Sequence, residues 1–344
     1  MPAVFALLVA VGAAGCGRPS AADSPLFPAV AGSRWGYIDG RGKTIIAPRF
    51  EHAGPFSEGL AAVSKAGRWG YIDRNGAEII PFRFRAAGGF RNGVAIVDTG
   101  LPRLPLGVID PRGAWVVEPS FRELQSADGP DGLLLGAVEP GTGRGFYDRE
   151  GILVHGPYAF AFPFAEGRAR VRHGSSDGII DEEGNLVPQP RLTIEGTQFS
   201  EGLIAVRQDR RLGYMDRDGT LAIQPRFDQG GAFAEGLAAV QLEGRWMFIN
   251  AKGVVTAELP AGVAFAYPLA DGLSLVTADR DGQGRKMGYV DRNGRWAIKP
   301  QWDEAASFRD GLARVGTFKG GRFAYIDRAG KVVWETSGVD PALF

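Results

Sequence analysis

The chain has 344 residues, and its 39 Lys and Arg residues are balanced by 39 Asp and Glu residues. This zero net charge argues against a nucleic-acid-binding protein, because such proteins displace counterions with a basic surface. A single Cys excludes a disulfide framework, and three His residues leave little for a histidine-based metal or catalytic site. The 51 Gly residues, together with a hydrophobic fraction of 44%, are typical of many short strands joined by tight turns.

The N-terminus is predicted to be an export signal. Residues 3–14 form an uncharged apolar run that is shorter than the roughly 20 residues of a membrane span but has the length of a signal-peptide core. Cys16 follows the small residues Ala13, Ala14 and Gly15, which resembles the bacterial lipobox. The resemblance implies that residues 1–16 are a lipoprotein signal peptide and that a lipid on Cys16 holds the protein in the cell envelope. The alternative is an ordinary cleaved signal peptide in which Cys16 has no role.

Residues 17–33 are predicted to be a flexible tether rich in Pro, Ser and Ala. A repeat domain follows from residue 34 to residue 336, and residues 337–344 remain as a C-terminal tail. The repeat is clearest at an Asp-x-x-Gly turn, with Asn once in place of Asp, whose intervals average 36 residues. A period of this length is typical of solenoids and propellers. The nine turns begin at Asp39, Asp73, Asp110, Asp148, Asp181, Asp216, Asn250, Asp291 and Asp327.

Each repeat has three predicted parts. An aromatic strand such as residues 69–73 leads into the turn, where Asp accepts backbone N–H groups and Gly tolerates a positive φ. A β-branched strand ended by Pro comes next, as in residues 44–48. A Phe-x-x-Gly segment then leads into an alternating apolar strand, as in residues 56–63. Since no stretch has a sustained helical period, the sequence predicts an all-β protein.

These residues resemble the WG-repeat (KWG-repeat) family of bacterial proteins over approximately residues 34–335. Trp35, Trp69 and Trp246 occupy the Trp position, whereas Leu106, Arg144 and Asp177 replace it in the degenerate third to fifth units. The resemblance implies a tandem β-repeat fold and a protein that is exported or attached to the surface. The residues predicted to define the repeat are Trp35, Gly36, Asp39, Gly42, Gly59, Trp69, Gly70, Asp73, Gly76, Gly236, Trp246 and Gly311.

Two architectures fit this pattern, a propeller-like ring and an open β-solenoid or hairpin stack. Nine turn hairpins alternate with only eight strands of the Gly-Leu-Ala type, so the domain is predicted to begin with a hairpin alone. The extra hairpin could close a ring or cap an open array. The ring is favoured on the length of the unit and its number of strands.

No catalytic, metal or cofactor site is predicted. His52, His155 and His173 lie at different phases of the repeat and are interpreted as loop or rim residues. The repeated Asp residues are interpreted as turn formers. Most aromatic residues recur in phase and are assigned to the core. Core packing is also the favoured role for those that do not, and the alternative is an exposed surface for glycan stacking or protein binding. The out-of-phase residues are Trp115, Tyr158, Phe160, Phe162, Phe164, Trp296 and Trp334.

The sequence therefore favours a non-enzymatic, envelope-anchored binding or scaffold protein that presents its repeat surface to a protein or glycan partner. Contact with the membrane is expected through the lipid only, and no nucleic-acid partner is expected. The alternative is a hydrolase or lyase that acts on an envelope polymer through carboxylates gathered in a central cleft. Buried Asp or Glu residues that break the repeat phase and lack partners would favour that alternative.

Overall fold

The structure, a computed structural model, describes residues 24–126, 133–137, 143–174, 176–189, 191–279, 284–317 and 322–336. Those residues form nine antiparallel sheets, here called blades 1 to 9 in chain order. Blade 1 has three strands and each of the others has four, hydrogen-bonded in the order in which they follow along the chain. The described ranges contain no helix, so the all-β prediction is confirmed.

The strands of the first five blades have two to seven residues each. Blade 1 contains β1 (Leu26–Ala31), β2 (Arg34–Asp39) and β3 (Thr44–Phe50). Blade 2 contains β4 (His52–Ser57), β5 (Leu60–Lys65), β6 (Arg68–Ile72) and β7 (Glu78–Phe84). Blade 3 contains β8 (Ala86–Ala87), β9 (Ala95–Asp98), β10 (Leu106–Ile109) and β11 (Trp115–Phe121). Blade 4 contains β12 (Glu123–Ser126), β13 (Leu134–Ala137), β14 (Arg144–Tyr147) and β15 (Leu153–Tyr158). Blade 5 contains β16 (Phe160–Ala161), β17 (Ala169–His173), β18 (Ser176–Ile180) and β19 (Leu186–Pro188).

The last four blades follow the same plan. Blade 6 contains β20 (Thr193–Ile194), β21 (Leu203–Gln208), β22 (Arg211–Asp216) and β23 (Leu221–Phe227). Blade 7 contains β24 (Gln229–Gly230), β25 (Ala238–Leu242), β26 (Arg245–Ile249) and β27 (Val255–Glu258). Blade 8 contains β28 (Val263–Ala270), β29 (Leu273–Asp279), β30 (Arg285–Asp291) and β31 (Trp296–Trp302). Blade 9 contains β32 (Glu304–Ala305), β33 (Leu312–Thr317), β34 (Arg322–Asp327) and β35 (Val332–Glu335).

The hydrophobic core lies between the blades. Among the described residues it consists of nine clusters, and each cluster joins two neighbouring blades. Eight of them join blades that are consecutive in the chain. The ninth joins blade 9 to blade 1, with Leu312, Phe323 and Tyr325 packed against Phe27 and Val30. The nine blades therefore close into a ring, and the favoured propeller architecture is confirmed.

The joint between blades 9 and 1 uses polar as well as apolar contacts. The ring centroids of Phe27 and Tyr325 are 5.5 Å apart, and the Tyr325 hydroxyl donates a hydrogen bond of 3.0 Å to the Pro28 carbonyl. The turn at Gly42 lies directly on the backbone of Val333, where a Cβ would collide with the carbonyl. No described strand is shared between these two sheets, so side-chain and turn contacts close the ring.

The Gly of the Trp-Gly pair is required because the fourth strand crosses over it. In blade 2, Trp69 pairs with Phe84 and Tyr71 pairs with Ile80, so the fourth strand carries two extra residues opposite Gly70. A Cβ on Gly70 would lie 2.6 Å from the Ile80 carbonyl oxygen. In blade 7 Met247 takes the position of this Gly. There the fourth strand, β27, pairs residue by residue with β26 at Met247 and Phe248 and has no extra residues opposite Met247.

A buried tyrosine ties many of the blades to the next one. The hydroxyl of Tyr71 donates to the Gly88 carbonyl at 2.8 Å, across the interface between blades 2 and 3. The same bond recurs seventeen residues apart in three other units. Burial raises the pKa of each of these hydroxyls, so they remain protonated donors at neutral pH.

The turn between the first and second strands shows which edge of a blade faces the axis. Glu58 and Gly59 form this turn in blade 2 with φ values of 51° and 82°, a conformation that favours Gly at the second position. The Glu58 carboxylate accepts the N–H of Gly93, in the corresponding turn of blade 3, at 2.9 Å. Since adjacent blades of a ring are closest near its axis, the first strands form the inner edge.

Two predictions at the start of the domain are corrected. Residues 26–31, assigned to the flexible tether of residues 17–33, form β1, in which Phe27, Ala29 and Val30 are buried. The first hairpin is therefore not alone, because β1 is the ninth apolar strand and pairs with β2. The pattern was missed because Ser24 and Pro25 stand where the other units have an acidic residue or Asn followed by Gly. The predicted tail, residues 337–344, lies outside the described residues.

Candidate binding surface

The residues predicted to define the repeat have structural roles. Trp35 stacks on Phe323 across the joint between blades 1 and 9, with ring centroids 6.0 Å apart. Trp69 stacks on His52 at 5.8 Å, and the indole N–H of Trp246 donates to the Ala264 carbonyl at 3.2 Å. These contacts hold the Trp side chains inside or between blades.

The turn Asp residues are engaged with their own turns. In Asp73, Oδ1 accepts the backbone N–H groups of Asn75 at 2.9 Å and Ala77 at 2.8 Å. Asp39 makes the same pair of bonds. Gly36 lies beneath the fourth strand of its blade, as Gly70 does, and Gly76 packs on the preceding blade. Gly236 and Gly311 have positive φ in the first turn, as Gly59 has.

The histidines do not form a site among the described residues. His52 lies on β4, with its Nδ1 2.9 Å from Ser64 Oγ, and His155 lies on β15, with its Nε2 2.7 Å from the Glu182 carbonyl. Both therefore lie on strands, which corrects the loop part of their interpretation as loop or rim residues. His173 ends β17, and its side chain is not among the described ones. The described ranges hold no group of three or more His, Cys, Asp or Glu arranged to bind a metal ion.

Blades 4 and 5 carry a cluster that breaks the repeat pattern, which we call the aromatic–arginine surface: Arg144, Phe160, Phe162, Arg170 and Arg172. The rings of Phe160 and Phe162 meet edge to face at 4.7 Å. The Arg144 guanidinium lies 5.9 Å from the centroid of Phe160, and that of Arg170 lies 5.2 Å from the centroid of Phe162. Arg144 stands at the Trp position of its unit, so loss of the Trp places a cation beside an aromatic ring.

Asp177, at the Trp position of the next unit, orients two of these arginines. Its carboxylate is 3.1 Å from Arg170 Nη2 and 2.8 Å from Arg172 Nε. Burial tends to raise the pKa of Asp177, but the hydrogen bond from Arg172 and the charge of Arg170 outweigh it and hold the pKa below its ordinary value. The Asp177 side chain is only 7% exposed, whereas that of Arg172 is 46% exposed. The buried carboxylate therefore holds Arg172 while leaving part of it open to solvent.

The aromatic–arginine surface continues into a shallow cavity between blades 3 and 4. The cavity has a volume of about 280 Å³ and is lined by Arg144 together with Arg122, Glu123 and Gln125. Arg144 Nη2 also lies 3.3 Å from Glu123 Oε2. Cations, the exposed Phe160 ring and a concave region thus lie side by side across blades 3 to 5.

The expected core role of the out-of-phase aromatics holds for most of them. Phe164 is fully buried against Phe146, and Trp115, Trp296 and Trp334 are half-buried against the interface clusters. Phe160 differs, since 38% of it is exposed. The signal for the surface was present in the sequence, because the aromatic run of residues 158–164 falls in the degenerate units. Its pairing with arginines depends on strand register and could not be read there.

A set of acidic residues that recur at one position of the repeat was not predicted from the sequence to have a role. The first turn of most units carries an acidic residue directly before its Gly, and its carboxylate accepts an N–H of the same turn in the next blade. Glu166 accepts from Gly202, Glu201 from Gly236, Glu235 from Gly272 and Asp271 from Gly311. These carboxylates stabilise the ring.

The fold and the repeat together define the class of this protein, over the described residues, as a nine-bladed β-propeller built from tandem repeats. Four segments, residues 35–69, 69–100, 213–246 and 287–316, match the family described as "WG containing repeat". They fall in blades 1 to 3 and 6 to 9, outside the region of the aromatic–arginine surface. No curated protein sequence matches the chain.

Similarity to solved structures concerns the fold alone. A crystal structure of a eukaryotic initiation factor is 13% identical and covers 91% of this chain and 95% of its own, with a TM-score of 0.60. Virginiamycin B lyase from Staphylococcus aureus is 13% identical over 65% of this chain and 89% of its own, with a TM-score of 0.35. PorZ, a surface component of the type-IX secretion system of Porphyromonas gingivalis, is 12% identical over 91% of this chain and 51% of its own, with a TM-score of 0.34.

Proposed function

We propose that this protein is a non-enzymatic binding or scaffold protein of the cell envelope that presents the aromatic–arginine surface to a protein or glycan partner. The observation that carries the proposal is the convergence of phase-breaking side chains. Arg144 and Asp177 replace Trp in successive units, and both contact the out-of-phase aromatic segment or the arginines beside it.

The chemistry of this surface suits recognition. Arginine and aromatic side chains are enriched at the energetic centres of protein interfaces. An exposed Phe ring also offers an apolar face on which a sugar ring can stack. Arg172 and Arg144 would donate hydrogen bonds to carboxylate or carbonyl oxygens of the partner. Because Asp177 already orients Arg170 and Arg172, binding would cost less side-chain entropy.

The alternative, a hydrolase or lyase of an envelope polymer, finds less support. Asp177 breaks the repeat phase, but it is bound by two arginines and its pKa is lowered. A carboxyl group that acts as a general acid needs a raised pKa. Asp98 is also mostly buried and pairs with Arg85 at 2.6 Å. Both carboxylates are therefore suited to holding arginine side chains.

The test places a photo-cross-linking amino acid at position 160 of the full-length protein in the cells that make it. Ile79, which is 44% exposed on β7, is the matched control position. In parallel, purified protein and its Phe160→Ala variant are sedimented with peptidoglycan sacculi. We expect a cross-linked partner at position 160 only, or binding to sacculi that the variant weakens about tenfold, which corresponds to about 1.4 kcal/mol.

Two outcomes would contradict the proposal. The first is equal cross-linking at positions 160 and 79 with no loss of sacculus binding in Phe160→Ala. This result would show that the aromatic–arginine surface does not bind the partner. Time-dependent release of soluble polymer fragments by the purified protein would support the hydrolase or lyase alternative.

Attachment through Cys16 is part of the same proposal. Cys16 lies outside the described residues, and the proposal rests on its place after the apolar run of residues 3–14. The described ranges contain no helix able to span a membrane. Labelling with radioactive palmitate tests the anchor: label should enter the membrane fraction with the native protein and be absent from the Cys16→Ala variant. An unlabelled native protein would contradict lipidation.

A further inference from the structure

The two aromatic side chains of the aromatic–arginine surface, Phe160 and Phe162, have a counterpart in blade 8. Residues 159–164 read Ala-Phe-Ala-Phe-Pro-Phe, and residues 264–269 read Ala-Phe-Ala-Tyr-Pro-Leu. The rings of Phe265 and Tyr267 meet edge to face at 4.9 Å, close to the 4.7 Å between Phe160 and Phe162. We call Phe160 and Phe162 the first aromatic pair, and Phe265 and Tyr267 the second aromatic pair.

Strand register places the two pairs at the same point of the repeat. In blade 5 Ala161 lies opposite Val171, which pairs on its other side with Gly178, at the Gly of the Trp-Gly position. In blade 8 Ala266 lies opposite Val276, which pairs with the equivalent glycine. Because the first strands form the inner edge, both pairs lie at the inner edge of the ring. Their blades are three positions apart among nine.

Four other units use this part of the first strand for the joint between blades. There the second position of the pair is a small residue whose carbonyl accepts the Tyr hydroxyl of the preceding blade: Gly54, Gly88, Gly231 and Ala306. Blades 4 and 7 carry Phe146 and Phe248 at the position of that Tyr, and Phe has no hydroxyl. Blades 5 and 8 therefore lack this bond at the positions of Phe162 and Tyr267.

Both aromatic pairs are open to a partner. Phe160 is 38% exposed, Phe265 is 39% exposed and Tyr267 is 36% exposed. Within the described ranges these are the three most exposed aromatic residues. Phe265 is also supported by Trp246 at 5.3 Å, whose indole N–H is already bonded to the Ala264 carbonyl. The exposed aromatic area of the described chain is thus concentrated at two equivalent positions.

The charge beside the first aromatic pair indicates the sign of the partner. Three arginines, Arg144, Arg170 and Arg172, lie with two carboxylates, those of Glu123 and Asp177, so the surface keeps a net positive charge. Over the part of the chain that the structure describes, the arginines that lie over aromatic rings do not include one at the second pair. A complementary partner is therefore anionic at blade 5 and has apolar faces at both blades.

A glycan that carries carboxylates has both properties. Each sugar ring has a face of C–H groups that can pack on an aromatic ring. Its carboxylates accept charge-assisted hydrogen bonds from guanidinium groups. Because the sugar units repeat, one polymer can occupy two equivalent sites at once, and the second contact gains affinity from the high local concentration.

The inner edge between the two pairs is compatible with such a polymer. In blade 7 the second position is Gly231, which adds no side chain and where a Cβ would meet only Pro268, at 3.8 Å. In blade 6 this position is Glu195, and Arg207 Nη2 lies 2.9 Å from its Oε2. The arginine compensates the charge of this carboxylate, so repulsion of an anionic polymer is reduced.

We propose that the partner is an acidic glycan whose sugar rings pack on both aromatic pairs and whose carboxylates are bound by Arg144 and Arg172. The inference rests on the proposed function of the aromatic–arginine surface. It names the class of partner and adds a second contact site in blade 8.

Binding of purified full-length protein to three acidic glycans tests the proposal. The probes are polygalacturonate, hyaluronan and amidase-released peptidoglycan strands, each compared with its carboxyl-reduced form. The variants are Phe160→Ala at the first pair and Tyr267→Ala at the second. The fold already accepts Ala at the latter position, as Ala306 in blade 9. Ile79→Ala, at an exposed position of β7, is the control.

We expect at least one acidic glycan to bind and its carboxyl-reduced form to bind about tenfold more weakly. Phe160→Ala and Tyr267→Ala should each weaken binding about tenfold, and Ile79→Ala should leave it unchanged. Lost binding in Phe160→Ala with full binding in Tyr267→Ala would overturn the second site but leave the proposed function intact.

The class of partner fails separately. If none of the three glycans binds, or if each binds as well after carboxyl reduction, the acidic glycan is wrong. A protein cross-linked at position 160 would in that case still support the proposed function. Glycan binding that neither variant weakens would contradict both the inference and the proposed function.

Discussion

At the scale of single residues, close backbone packing determines what the repeat can tolerate. Gly70 is the clearest case, because the fourth strand of its blade lies on it. Gly70→Ala would press Cβ against backbone atoms of Ile80 and Pro81 that cannot rotate away. We expect a loss of about 2 kcal/mol in the free energy of unfolding, measured by denaturant titration.

Gly89→Ala is the matched control for that substitution. A Cβ on Gly89 would meet only Ser57 Cβ, at 3.8 Å, which is ordinary contact. Its free energy of unfolding should change by less than about 0.5 kcal/mol. Equal destabilisation by the two variants would show that strand crossing is not what requires Gly70.

A second prediction at this scale concerns the tyrosine hydroxyls between blades. Tyr71→Phe removes the donor to the Gly88 carbonyl and leaves that inner-edge acceptor without its bond. We expect the free energy of unfolding to fall by about 1–2 kcal/mol. Tyr267→Phe changes a tyrosine that is 36% exposed and should be nearly neutral. A neutral Tyr71→Phe would mean that the hydroxyl adds nothing to the joint between blades.

At the scale of elements, the first turns are linked by their carboxylates. Glu201 accepts the N–H of Gly236 from the next blade at 2.9 Å. Glu201→Ala should therefore speed hydrogen exchange at Gly236 by about tenfold. The Gly272 amide, bonded to Glu235, should keep its rate and is an internal control. Glu201→Gln keeps an acceptor of the same length and should restore most of the protection. Exchange that rises equally at both Gly residues would indicate general loosening of the fold.

Strands and turns were largely predictable at this scale, whereas contacts between blades were not. The nine Asp-x-x-Gly turns and eight of the nine apolar strands follow from local preferences, which repetition of the sequence makes visible. β1 escaped prediction because Pro25 removes the Gly that marks the turn elsewhere. The partners of Asp177 and Arg144 depend on which strand ends meet, and the spacing of residues along one chain does not contain that information.

At the scale of the whole molecule, the buried tyrosines couple stability to alkaline pH. Burial raises the pKa of Tyr325 from 10.0 to about 12 and raises those of four other core tyrosines further. In the unfolded chain these groups ionise near pH 10. Their protonated form thus stabilises the fold fully below pH 10, and this contribution falls as the pH rises from 10 towards 12.

The measurement is the denaturant midpoint between pH 8 and pH 11.5, with tyrosinate absorbance recorded in parallel. We expect the midpoint to fall above pH 10 and the absorbance of the core tyrosines to appear only with unfolding. Tyr71→Phe should reduce the slope, because one titrating group is removed. A flat midpoint across pH 10 to 11.5 would contradict the role of these hydroxyls.

The links between first turns also give the ring a direction. In blades 2, 5, 6, 7 and 8 the acidic side chain of the first turn receives its N–H from the following blade, so each of these links runs forward along the chain in the same rotational sense. A unit with matching ends can be duplicated or deleted in frame, and the two blades brought together still fit each other. The cost is a small change in the angle between neighbours. The carboxylate links thus give these blades equivalent interfaces. A protein built in this way can change its number of blades by duplication of a unit while the contacts between neighbouring blades stay the same.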